Sequence, residues 1–156
     1  MFVVETREIS DQQIASIERR VLVGDLPQFI NEAMSAVYDA LVESGAQTGT
    51  PFVVYHGEVN ADSDGPVEAC VPYVGEVETS GEIRLRVEPG HTEAFTRITK
   101  RQVAFPGILE AYDAVEKWAA EAGLKEGGHP REVYFADWES IGDDDPACDI
   151  AFPIES

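Results

Sequence analysis

The phrase Pro51-Phe52-Val53-Val54-Tyr55 returns as Pro130-Arg131-Glu132-Val133-Tyr134, and each copy follows a helical stretch closed by a glycine, Gly45 or Gly123. A duplication on this scale restricts the chain to folds built from two like units. Two long copies are too few for a solenoid, in which many short repeats stack. The match extends past the phrase, since Pro72 answers Pro153, and small changes in loop length absorb the drift. One difference stands out: Glu132 occupies the place of Val53. The duplicated scaffold thus reads as nearly symmetric in shape and asymmetric in polarity.

Hydrophobic periodicity gives both units the same order. Segments 2–9 and 13–21 read as strands, and Asp25, with Gln28 three residues on, is placed to cap a helix. In that helix Leu26, Phe29, Ile30, Ala33, Met34, Val37, Tyr38 and Leu41 recur at three- and four-residue steps up to Ser44-Gly45. Strands are expected at 51–56 and 66–74. The second half repeats the pattern with strands at 82–88 and 93–101, a helix near 107–122, and strands at 131–135 and 147–154. In its helix Ile108, Ala111, Tyr112, Val115 and Ala119 share one face. The expected class is α+β: duplicated strand-helix-strand-strand modules in a mostly antiparallel, barrel-like sheet with two helices and a central ligand groove. One domain over 1–156 is expected, with repeat one about 1–75 and repeat two about 80–156.

Strand side chains alternate between faces. Taking the apolar set as helix-facing puts Phe52, Val54, Val133 and Phe135 toward the helices. That turns Val53, Tyr55, Glu132 and Tyr134 to the opposite face. The same rule gives Val67, Ala69, Val71 and Tyr73 to one helix, and Cys148, Ile150, Phe152 and Ile154 to the other. Glu68 and Asp149 then lie opposite at matching places.

With 30 acidic against 11 basic residues, the formal charge is −19. Such a field repels phosphates and anionic lipid, which excludes direct nucleic-acid binding and membrane association as expectations, and it favours cations. Acidity of this kind also serves simple solubility or a salty environment. Cys70 and Cys148 form no CxxC pair and read as small core residues. No secretory leader or apolar span is recognised, so a cytoplasmic location is expected. His56, His91 and His129 are scattered, Asp143-Asp144-Asp145 lacks the calcium-loop pattern, and Gly127-Gly128 precedes a strand. No metal and no cofactor is expected.

The residues resemble a known family, the GyrI-like or bacterial transcription-activator effector-binding domains. Gly128-His129-Pro130-Arg131-Glu132-Val133-Tyr134 carries the resemblance, following Trp118-Ala119-Ala120-Glu121-Ala122-Gly123. The terminal Asp149-Ile150-Ala151-Phe152-Pro153-Ile154 and the first-half Val67-Glu68-Ala69-Cys70-Val71-Pro72 complete it. Two departures are Ala136-Asp137-Trp138, where Asn-Asp-Pro is usual, and Asp149, where Glu is frequent. The resemblance implies paired SHS2 modules enclosing a groove for bulky, often aromatic and cationic molecules, in multidrug-sensing transcription regulators or in free-standing proteins. This chain is read as free-standing. The resemblance also implies that Glu132 sits on the pocket floor among aromatic rings. Some free-standing relatives are hydrolases of cyclopropane-containing compounds with that Glu in the reaction centre.

From the residues alone, Glu132 is either one more solvated acid or a groove carboxylate whose protonation state burial and neighbours would set; the resemblance favours the groove. Tyr134 and Tyr55 read as pocket lining or as half-buried sheet residues. Tyr112 is a candidate from the second helix and Trp118 is packing. Trp138 is a lid or an exposed loop ring. Val53 supplies an apolar wall. Phe29 and Met34 belong to a helical stripe that is more often core, with Met34 the more adaptable. Glu68 and Asp149 complete the candidate set, and the arginines are expected to pair with surplus acids on exposed faces. The expected function is sensing or sequestering amphipathic aromatic or cationic compounds with Glu132 as anchor. The alternatives are a hydrolase of strained electrophiles with Glu132 as acid or base, and an acidic protein-interaction module such as a gyrase modulator.

Overall fold

The computed structural model describes residues 2–155. Among these residues the strands are β1 (Val4–Ile9), β2 (Gln12–Val21), β3 (Gln47–Thr48), β4 (Phe52–Tyr55), β5 (Gly65–Val74), β6 (Arg84–Glu88), β7 (His91–Thr99), β8 (Arg131–Val133) and β9 (Pro146–Ile154), with helix α1 (Leu26–Glu43) between β2 and β3, and helices α2 (Lys100–Val103) and α3 (Ile108–Glu121) between β7 and β8. The α+β class and antiparallel pairing follow the sequence pattern. The two long helices are the expected ones. Helix α2 is an addition, a single turn held by the Thr99–Gln102 capping box.

The chain forms two compact units. One holds Asp11–Pro89, and the other holds the residues before Asp11 and those after Pro89. In the first, β4, β5, β2 and β6 lie in that order, with β3 added along β5; in the second the order is β8, β9, β7, β1. The two orders are the same. However, β1 pairs with β7, and β6 pairs with β2, so each unit takes its edge strand from the other of the two expected sequence repeats. Hydrophobic pattern marks a strand but not its partner, and chain order alone does not give the edge pairing.

Registers make the correspondence residue by residue. Val53 lies opposite Ala69, and Glu132 lies opposite Ile150. Ile14 joins Pro72 to Arg86, and Glu93 joins Pro153 to Arg7, so Arg86 and Arg7 are counterparts on their edge strands. Both long helices end alike. Gly45 and Gly123 adopt φ of 77° and 74°, while the N–H groups of Ala46 and Leu124 return to the carbonyls of Leu41 and Ala119 at 3.0 and 2.9 Å. These are Schellman closures, in which glycine avoids the strain a Cβ meets in the left-handed region. Asp25 flanks α1 without a side-chain cap, and Pro27 opens the helix instead.

In the first unit α1 buries Phe29, Ala33, Val37 and Leu41. In the second, Ile108, Ala111 and Val115 of α3 pack with Ile98, Cys148, Ile150 and Phe152, and Trp118 borders this core as expected of a packing residue. Each fully buried large side chain contributes about 1.5–3 kcal/mol, and these rows fix α3 on the sheet. No helix among the described residues is long and apolar enough to cross a membrane.

Candidate functional site

The face assignment made from hydrophobicity is inverted in β4 and β8. Residues directly opposite in antiparallel strands share a face. Glu132 therefore shares the face of Ile150, which packs with α3, and Val53 shares that of Ala69. Arg19, next but one to Ile17 on β2, lies 5.8 Å over the Phe29 ring of α1, which identifies this as the α1 side. Phe135, expected toward the helix, instead has Arg97 4.3 Å over its ring, on the Asp149 side. The apolar rule failed for a physical reason. Phe52, Val53 and Val54 are all buried, so composition carries no phase, and in β8 the inward residue is a carboxylate satisfied by hydroxyls.

Glu132 is 4% exposed. Tyr112, projecting from α3, donates its hydroxyl to Oε2 at 2.5 Å, and Tyr134, two residues along the chain, donates to Oε1. Both carboxylate oxygens are thus oriented by phenols, and hydrogen bonds to an ionised acceptor are the stronger kind. Phe152 of β9 meets the Tyr112 ring edge-on at 5.7 Å, and Trp138 meets the Tyr134 ring at 6.1 Å. The expected candidates Glu132, Tyr134, Tyr112 and Trp138 therefore form one cluster. Phe152, read only as core, joins it.

Trp138 opens a short turn that Lys100 holds from outside. The Lys100 ammonium donates to the Trp138 carbonyl at 2.7 Å and the Ile141 carbonyl at 3.4 Å, and lies 5.5 Å from the indole. Nothing in the sequence signalled this role. It depends on α2 bringing position 100 to a loop 38 residues away.

The corresponding place in the other unit is apolar. Val53 is fully buried where Glu132 stands, and Tyr55 follows it as Tyr134 follows Glu132. Counting back from Gly45 and Gly123, Met34 on α1 occupies the position of Tyr112 on α3. Met34 is half-buried, whereas Phe29 lies in the core.

Glu68 and Asp149 are also counterparts, on the opposite sheet faces, and both are 1% exposed. Arg86 clasps Glu68 with Nε at 2.9 Å and Nη2 at 2.7 Å, and Ser16 and His56 complete its shell at 2.6 and 2.9 Å. Asp149 receives Arg97 at 2.8 and 3.0 Å and Arg7 at 2.9 Å. The arginines thus serve buried acids, and not only the exposed faces expected of them. Burial acts to raise the Glu68 carboxyl, but hydrogen bonds from His56, Arg86 and Ser16, with the Arg86 charge, outweigh it and hold the group well below the usual carboxylate range. Burial, followed by the charges of Glu132 and Asp149, pushes the Cys148 thiol well up, which makes it an unreactive core residue.

Among the described residues, Glu18, His56 and Glu68 bring ligand-type atoms within 4.8 Å of one another. Arg86 already engages both Glu68 oxygens, and Arg84 lies 3.2 Å from Glu18. A divalent ion would have to displace these guanidinium groups, so the cluster fits an ion-pair network better than a metal centre.

No family model and no curated protein sequence matches the chain. Solved structures do. The crystal structure of the EcmrR C-terminal domain matches with a TM-score of 0.83 at 18% identity, covering 99% of this chain and 98% of that one. A hydrolase from Listeria innocua matches at 0.67 and 10% identity, covering 97% and 91%. SAV2435, solved bound to tetraphenylphosphonium, matches at 0.57 and 11%, covering 98% and 94%. The fold is that of the GyrI-like effector-binding domains, as the resemblance in the sequence implied.

Proposed function

We propose that this protein binds amphipathic aromatic or cationic small molecules, with Glu132 as the polar anchor and Tyr112, Tyr134 and Trp138 as the aromatic surroundings. The observation that carries the proposal is a carboxylate 4% exposed whose two oxygens are both oriented by tyrosine hydroxyls beside an indole. Burying a carboxylate is costly, and a bound cation offsets that cost with one charge pair while the rings add cation–π attraction. The phenols hold the acceptor in place, so little ordering remains to be done on binding. A fold neighbour bound to a lipophilic phosphonium supports this ligand class.

Calorimetric titration with tetraphenylphosphonium, and with neutral triphenylphosphine oxide, tests it. Glu132→Gln is expected to weaken the cation by about 10- to 100-fold, or about 1.4–2.8 kcal/mol, with the neutral compound nearly unchanged. Equal weakening of both would remove the anchor role. A second reading is hydrolysis of a strained electrophile, with Glu132 positioning water or moving a proton. It is supported by the arrangement of two hydroxyls on one carboxylate and by the fold shared with a Listeria innocua hydrolase. That reading requires product from a cyclopropane-bearing electrophile, detected by mass spectrometry, and its loss in Glu132→Gln.

A further inference from the structure

Strands β1 and β6 end the strand order and occupy the same place in their units. Among the described residues each is paired along one side with a single strand, β7 or β2. An edge of this kind invites pairing, and proteins ordinarily protect it with charged or polar side chains. Strand β1 does so. Through their partners, Ala94 and Ala15, Thr6 corresponds to Leu85, and Glu8 corresponds to Val87 in the same way. Where β1 presents a hydroxyl and a carboxylate, β6 presents two aliphatic side chains, 41% and 58% exposed. The fold does not require them, because the same position in the other unit is satisfied by polar residues.

The order along β6 is Arg84-Leu85-Arg86-Val87-Glu88, cationic at one end and anionic at the other. Run antiparallel against itself about Arg86, it sets the Arg84 end of each copy toward the Glu88 end of the other and places Leu85 opposite Val87. Opposite charges and aliphatic pairs are the combinations that stabilise neighbouring strands. The central arginines do not meet as bare charges, since each is bonded to Glu68 and Glu88 of its own chain. Strand β1, turned the same way about Arg7, would set Glu5 against Ile9 and Thr6 against Glu8, and so offers neither opposite charges nor aliphatic pairs.

We infer that β6 is a self-association edge, and that two copies of this chain pair there antiparallel about Arg86 to form a two-fold dimer. The inference does not depend on the ligand proposed for Glu132. A five-residue edge lies at the small end of interfaces, so sedimentation equilibrium over a series up to roughly 100 µM is the appropriate measurement. The wild-type chain is expected to pass from monomer to dimer across that series. The double variant Leu85→Thr/Val87→Glu gives β6 the side chains that β1 already carries at the matching positions, and is expected to weaken the dimer at least 10-fold. An unchanged melting temperature and an unchanged circular-dichroism spectrum at low concentration would show that the variant is folded. A wild-type chain that stays monomeric throughout, or a dimer indifferent to the double variant, would overturn the inference. A larger assembly that the variant leaves intact would do the same.

Discussion

Tyr112 and Glu132 join helix α3 to strand β8 through a 2.5 Å hydrogen bond, so the carboxylate proposed to hold the ligand is also a tie between helix and sheet. Tyr112→Phe removes that donor from a buried acceptor while keeping the ring against Phe152. It is expected to cost about 1–3 kcal/mol in urea denaturation. The same variant is expected to weaken tetraphenylphosphonium, because the carboxylate loses one of its orienting groups. Binding unchanged in Tyr112→Phe would mean that Tyr134 alone suffices.

Arg86→Met leaves Glu68 buried without its two-pronged partner, and removing one member of a buried ion pair typically costs about 3–5 kcal/mol. The linked pH effect has a definite sign. The Glu68 carboxyl is held below its ordinary value of 4.5, so the folded state binds the proton less readily than the unfolded chain. The stability this confers is present above pH 4.5 and is lost as pH falls through the folded value. Denaturation between pH 7 and pH 3 is expected to show this acid loss in the wild type and a flatter acid limb in Glu68→Gln.

Lys100→Met removes an ammonium that pins the Trp138 carbonyl while retaining much of the side-chain bulk. Trp138 is expected to become more mobile, read as a drop in its fluorescence anisotropy in a Trp118→Phe background. Tetraphenylphosphonium affinity is expected to fall about 3- to 10-fold, consistent with loss of one charge-assisted hydrogen bond. Unchanged anisotropy would assign the turn's order to other contacts.

Val53→Glu copies the polar half into the apolar one. Without a donor at Met34, the new buried carboxylate lacks the helix hydroxyl that Glu132 receives from Tyr112, and a loss of about 3 kcal/mol or more is expected in urea. Adding Met34→Tyr is expected to recover part of it, because Met34 stands where Tyr112 stands on α3. No recovery would show that the two helices set different distances to their strands.

The sequence by itself determined the duplication, the α+β class, both long helices with their glycine closures, and the pairing of Val53 with Glu132 as counterparts. Those features are local or repeated, so periodicity and turn chemistry record them. The tertiary structure decided which way Glu132 points. Strand alternation fixes that neighbours oppose, but the choice of face depends on what waits on each side. Here the helix side offers Tyr112, and the other side offers Asp149 with two arginines. It also decided the edges, since the strands that pair with β1 and β6 lie far away in the chain. The opening difference between Val53 and Glu132 is therefore visible in one dimension. That it creates a buried carboxylate held by two phenols is a property of α3 meeting β8.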